Sequence, residues 1–465
     1  MPVRPIMLGW LLLMAVGFVH TDFGSPPPSD SPPLLYTVAK RYEALAWIGG
    51  ADRFSSNAII FFQDASGRHR LIPSFVASAD PTVSFDGKRV LFAGKQKAQD
   101  HWQIWEVELA PARDIGTTGD APRQVTSCAE DCVRPFYLPD DRVVYAKKTD
   151  GRFVIEAASL AEGNAVQLTY GPGNSLPTDV LRDGRILFEA TYPLGSTRTP
   201  ELYTVYSDGS GVESYRCDHG KARYSGRQVA SGDIVFTSGF GRGASGLGRF
   251  TSARAQEVPI SAPAGEYAGD AAETSSGDWL LAWRPDAKSY FQVKRWRPGN
   301  GGLLSVVAEP SANVIQPTLM VERTVPKRHP SGLHDWPNAN LLCLNAYTSK
   351  YKFAAGSIHS VRLYTRDSMG TTKLLGSAPV ERDGSFFVQV PTEHPLQIEL
   401  LDNSGKTLKR EAGWFWMRRG EQRACVGCHA GPETAPENAV PMVLLRSTTP
   451  VDMTGASTHA SSGGH

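Results

Sequence analysis

From about Leu35 to Pro310 the chain alternates short apolar runs with turns in a repeating order. A short strand leads into a turn carrying Asp-Gly or a relative; a β-rich apolar run and a second strand ending in polar residues follow. The clearest copy is "ADPTVSFDGKRVLFAGKQKAQDHWQIWEVEL" (Ala79–Leu109). Val133–Leu160 and Ser175–Gly211 repeat it, and Ser225–Phe240 and Gly269–Gly299 are weaker copies. An opening copy, Pro32–Ile72, lacks the leading strand. The turns fall near positions 87, 141, 184, 232 and 277, a period of roughly 45 residues, which suits four-stranded propeller blades. One such sheet cannot bury its own faces, whereas radially stacked sheets bury each other's. The pattern predicts six blades over residues 34–324, with "SANVIQPTLMVERT" (Ser311–Thr324) supplying the strand missing from the first.

Beyond a proline-punctuated linker over 325–340 the alternation changes. "NLLCLNAYT", "IHSVRLYTR", "KLLGSAPVERDGSFFVQVP" and "LQIELLDNSGKTLKREAGWFW" predict a small β-sandwich over 341–416, with Val380–Pro391 as a hairpin. The fold class expected is all-β: a six-bladed propeller, then a β-sandwich carrying a C-terminal segment with its own chemistry. The repeats resemble the TolB-type, WD40-like propellers, whose proline, short strand and S-x-DG-K/R turn stand here as "PTVSFDGKRVLFAG" (Pro81–Gly94). That resemblance implies a fold and leaves the function open.

The N-terminus changes the compartment. Arg4 precedes the apolar run "IMLGWLLLMAVGFV" (Ile6–Val19), short for a bilayer span and suited to a signal h-region. Residues 1–24 are expected to be a signal peptide or an uncleaved anchor, and 25–33 a Pro/Ser linker. The body is then exported and periplasmic, touching a membrane only through such an anchor. The composition is 41% hydrophobic with a formal net charge of +1, and no basic run carries interleaved aromatics, so a nucleic-acid partner is not expected.

Six cysteines follow from that compartment: Cys128, Cys132, Cys217, Cys343, Cys425 and Cys428. Cys128 and Cys132 ("CAEDC") are spaced for a short-range disulfide, with a metal-binding or unbonded pair as the alternative. Cys343 lies in an apolar strand and reads as buried and inert; Cys217 has no obvious partner.

Cys425–His429, "CVGCH", carries the distinctive chemistry. Covalent haem c attachment needs two thiols about one helical turn apart, to add across two vinyl groups, and an imidazole beside the second to reach the iron. Zinc would want a second Cys/His pair at similar spacing, and a thioredoxin-like pair a βαβ setting; the sequence offers neither. One covalent haem c is expected, held by Cys425 and Cys428 with His429 as proximal iron ligand, in a segment over 417–446 followed by a disordered tail over 447–465. Trp414, Phe415 and Trp416 precede it, suited equally to shielding a porphyrin or to ending a sandwich strand in its core. Candidate sixth ligands are His329, His334, His359, His394, Met417, Met442 and Met453, none in a diagnostic setting; His459 and His465 lie in the tail.

The combination of a TolB-like propeller, "APVERDGSFFVQVP" and "GWFWMRRGEQRACVGCHAGPETAPENAVP" (Gly413–Pro441) resembles the hydrazine synthase alpha-subunit-related proteins. The resemblance implies a propeller preceding a middle domain with a c-type haem, on Cys425, Cys428 and His429. The hydrazine-forming subunit continues into a further haem domain, whereas this sequence holds one CxxCH, so hydrazine synthesis is not expected of it. The expectation is an exported monohaem redox protein using its propeller to dock a partner protein or shield the haem. An oxidoreductase with an open iron acting on a small nitrogen or oxygen compound is a second reading. A third is a binding protein with a structural or sensing haem, its small ligand at the haem or the propeller channel. The sequence names no catalytic residue.

Overall fold

The computed structural model describes residues 33–54, 58–109, 121–193, 199–216, 218–239, 245–253, 255–367, 370–427 and 438–455. The expected signal or anchor, most of the Pro/Ser linker, Cys217, Cys428 and His429 lie outside them. Among the described residues, six sheets follow one another as blades and two more form a sandwich.

Each blade starts from the turn chemistry legible in the sequence. At Ser84–Arg89, Ser84 N donates to Arg89 O at 2.8 Å and Gly87 N to Ser84 O at 3.0 Å. The following strand, Arg89–Lys95, carries Val90, Leu91, Phe92 and Ala93, all fully buried. A central blade strand has a neighbouring blade on both faces, so its apolar run is continuous rather than alternating. The Asn313–Leu319 strand pairs antiparallel with Leu34–Ala39, so the chain's last propeller strand completes the first blade.

The propeller axis is lined with charge rather than oil. On the innermost strands Asp80, Arg134, Ser225 and Gln316, and between two short strands Asp270, all sit at positive φ, between 51° and 56°. Such backbone is strained for a residue with a side chain and persists only where surrounding contacts hold it. Arg134 grips Asp270 of the opposite blade with two hydrogen bonds of 3.0 and 3.1 Å. Arg227 Nη2 adds a third at 3.1 Å. Burial works to raise the Asp270 carboxyl, but the charges of Arg134 and Arg227 outweigh it and hold it well below the carboxylate range. For Asp80 and Glu189 burial wins and pushes the carboxyls up. The segment 42–54 lies across one mouth of the axis: Ile48 O accepts from Asn174 Nδ2 and Thr191 Oγ1, and Trp47 packs edge-on against Trp102. Cys128 and Cys132 are joined by a disulfide with a Cα–Cα distance of 6.3 Å.

The sandwich stacks two four-stranded sheets. One runs Gln422–Cys425, Ala339–Cys343, Phe386–Val390, Val451–Asp452; the other runs Thr372–Pro379, Ser360–Arg366, Leu396–Leu401, Thr407–Arg410. Three expectations change here. Val380–Pro391 is not a hairpin, because the strands before and after its Asp-Gly turn belong to different sheets. The turn is closed locally by Glu381 N to Ser385 O at 2.8 Å, so the same turn chemistry serves a crossover. The sandwich also runs past residue 416, since Gln422–Cys425 is one of its edge strands. Finally, the described start of the 447–465 tail is folded: Val451–Asp452 pairs with Val388 and Gln389, and Met453, 1% exposed, fills the core. A two-residue strand flanked by Ser, Thr and Pro leaves too little periodicity to read.

Candidate functional site

Gln422–Cys425 is the strand that leads toward Cys428 and His429, and the fold fixes it from three sides. The Gln422–Cys425 strand runs parallel to Ala339–Cys343, and Leu344 N donates to Cys425 O at 2.9 Å. Glu421, 6% exposed, accepts from Arg418 N at 2.8 Å, Arg423 Nε at 2.9 Å and Gly211 N of the fourth blade at 3.1 Å. Arg423 Nη2 reaches Trp416 O at 3.2 Å. "RRGEQR" thus welds the Gln422–Cys425 strand to the propeller. Gly420, at φ 68°, allows the turn into it; a Cβ there would meet His334 O at 1.8 Å. Gly427 lies so close to the 345–348 loop that a Cβ would meet Thr348 O at 2.1 Å.

The far side of the segment is held as well. Met442 N donates to Asp383 Oδ2 at 2.7 Å and Val443 N to Ser385 Oγ at 3.0 Å. Burial works to raise the Asp383 carboxyl, but the hydrogen bonds from Met442 and Ser385 outweigh it and keep it below its usual range. The short helix Met442–Arg446 buries none of its residues, and Val440 and Leu445 are 62% and 71% exposed. The described residues Cys425 and Met442 are therefore anchored on the same sandwich, and Val440 and Leu445 stay open to solvent.

The aromatic run resolves into a third role that the sequence reading did not weigh. Trp414 and Trp416, 5% and 0% exposed, pack into the propeller among Phe136, Phe188, Tyr192 and Tyr203. Their indole N–H groups donate to Pro193 O and Gly209 O at 3.3 and 3.2 Å. They do not sit in the sandwich core; they dock the sandwich on the propeller, with Phe415 touching both cores. Nearby, His219 Nδ1 lies 2.6 Å from Glu201 Oε2 of the propeller and Nε2 lies 3.5 Å from Glu411 Oε1 of the sandwich. Burial works to lower the imidazole, but hydrogen bonds and charge from both carboxylates outweigh it and push it up to about 10.

Of the candidate sixth ligands, Met417 and Met453 are buried in the sandwich core. His329 stacks on Tyr206 with ring centroids 3.7 Å apart, His334 stacks on Trp336, and His394 Nδ1 meets Thr392 O at 2.6 Å. Met442 begins the helix that follows the segment. Nothing in the sequence marks Glu421, Arg423, Asp383 or Ser385 as positioning residues, because charged and polar residues near turns ordinarily signal solvated surface.

Residues 345–430 match the family described as hydrazine synthase alpha subunit middle domain. The likeness to that family is carried by this stretch. The matched stretch opens on the loop that meets Gly427 and closes just past His429, so it includes the Gln422–Cys425 strand. Among solved structures, Kuenenia stuttgartiensis hydrazine synthase is similar with a TM-score of 0.74 at 15% identity, over 90% of this chain and 72% of that one. TolB from Acinetobacter baumannii gives 0.41 at 14% identity, over 65% and 68%. At these identities the likeness is one of fold. A search of curated proteins returns no match.

Proposed function

We propose that this hydrazine synthase alpha-related chain is an exported monohaem c protein, in which the propeller holds the haem segment and presents it to a redox partner protein. The observation that carries the reading is the anchoring of the CxxCH segment. Cys425 is half-buried at the end of a strand fixed by Leu344 and Glu421, and the chain is caught again at Met442 by Asp383. The donor set, two thiols and an imidazole at Cys425, Cys428 and His429, suits haem c, and Val440 and Leu445 offer apolar surface to a porphyrin edge. Bound haem would supply reversible one-electron chemistry at iron. The chain's own part is to fix Cys425, to keep the segment on one sheet, and to lock that sheet to the propeller through Trp414, Trp416 and Glu421.

The test is the optical spectrum of the full exported chain in ferric and ferrous states, with and without carbon monoxide, beside Cys425→Ala/Cys428→Ala. Covalent haem lost in the double variant and a low-spin spectrum indifferent to carbon monoxide are expected. A chain that leaves a cytochrome-maturing host without haem overturns the proposal. Ready carbon monoxide binding replaces the electron-transfer reading with an open-iron oxidoreductase.

A further inference from the structure

The strand that delivers Cys425 lies beside the one that ends in Cys343. The two run parallel and in register, Asn340 opposite Gln422 and Cys343 opposite Cys425. The register is held by Asn340 N to Glu421 O and Leu344 N to Cys425 O, both 2.9 Å, and by Asn340 Nδ2 to Gln422 Oε1 at 3.0 Å. Residues paired in register on neighbouring strands turn their side chains to one face of the sheet. Here that face is the sandwich core: Cys343 is 4% exposed within it, and Cys425 packs against the same cluster while staying partly open to solvent. Adjacent strands lie about 4.8 Å apart, inside the roughly 4.4–6.8 Å range of Cα separations that a disulfide bridges. The fold thus places a third thiol next to one of the two haem-attachment thiols, 82 residues away in sequence, counting from the paired Asn340 and Gln422.

We propose that Cys343 and Cys425 form a disulfide in the haem-free chain, and that its reduction releases Cys425 for haem attachment. The proposal rests on reading Cys425–His429 as the attachment segment. Cys425, the more exposed sulfur, is where exchange begins. Its thiolate attacks a disulfide oxidant of the exported compartment, forming a mixed disulfide and expelling one oxidant sulfur as a thiolate. The Cys343 thiolate then attacks the Cys425 sulfur and expels the second. Two electrons pass to the oxidant, and the two protons lost by the cysteines are taken up by its two thiols. A dithiol reductant runs the steps backwards. Thioether formation adds a cysteine S–H across a vinyl group, so a Cys425 held in a disulfide cannot react. The bond would keep the unloaded site from wrong pairings and make attachment conditional on reductant.

The experiment uses the full chain exported from a host lacking haem-attachment machinery. Thiols are trapped with N-ethylmaleimide under acid quench, followed by non-reducing peptide mapping of wild type, Cys428→Ala and Cys343→Ala. A Cys343–Cys425 cross-linked peptide is expected in the first two and absent from the third. In chain loaded with haem in a competent host, Cys343 should carry one maleimide. Alkylated Cys343 in the haem-free wild type, whether Cys425 is bonded to Cys428 or alkylated too, overturns the inference while leaving the haem reading intact. A cross-linked haem-free chain that never acquires haem in a competent host also overturns the release step, and in that case the haem reading fails with it.

Discussion

Raising the pH should loosen the sandwich from the propeller, and His219 sets the window. The imidazole sits between Glu201 of one body and Glu411 of the other, with 8% of its side chain exposed. Its folded-state value is pushed up to about 10, against about 6.5 in an unfolded chain. A raised value contributes stability that is fully present below about pH 6.5 and lost as pH rises through the folded value. Between those limits the native state holds one more proton than the unfolded state, so stability falls by about 1.4 kcal/mol per pH unit. Across the window this amounts to on the order of 5 kcal/mol. The assay is urea unfolding followed by tryptophan fluorescence at pH 7, 8 and 9, comparing wild type with His219→Gln. Gln keeps a donor between the carboxylates but cannot gain the charge. At pH 7 the variant should be less stable by about 3 kcal/mol, and the gap should shrink by most of 1 kcal/mol or more at each step upward. Parallel pH curves for the two proteins would refute the reasoning, since they would mean that His219 is not protonated between the two carboxylates.

Three further outcomes follow from named contacts. Trp416→Ala removes a fully buried indole from the propeller core together with its bond to Gly209 O; it should cost about 3–5 kcal/mol, and calorimetry should show the sandwich melting separately from the propeller. Asp270→Asn leaves the buried Arg134 guanidinium without its charge partner and should cost about 3 kcal/mol or more in urea unfolding. Because the Asp270 carboxyl is held below its ordinary range, its contribution is present above about pH 4 and lost on acidification, so the variant and wild type should converge in acid. Gly427→Ala drives a Cβ into Thr348 O; it should lower the yield of haem-loaded protein in a pyridine haemochrome assay while leaving the thermal transition of the propeller in place.

The propeller was legible because a blade is a local object. The Ser84–Arg89 turn and the Val90–Ala93 run carry their instructions within a few residues, and a period repeated along the chain reports stacking. CVGCH stands out in the sequence because the three groups that the proposed haem attachment asks for lie within five residues. Trp414 and Trp416 were not legible in the same way. An aromatic pair states that area will be buried, and nothing in its spacing says whether a porphyrin, the sandwich or the propeller will cover it. Asp383 and Glu421 read as turn and surface charges until the fold brought Met442 N and Gly211 N to them.

The sequence by itself determined what depends on neighbours along the chain: the blades, their turns and most of the sandwich strands. Tertiary structure alone decided what depends on partners far apart in sequence. Arg134 meets Asp270 across 136 residues, Trp416 meets Gly209 across 207, and Cys343 lies opposite Cys425. The physical reason is that periodicity and turn chemistry act through local backbone geometry. Ion pairing, docking and strand register are settled by which surfaces meet once those local pieces have closed into a ring and a sandwich.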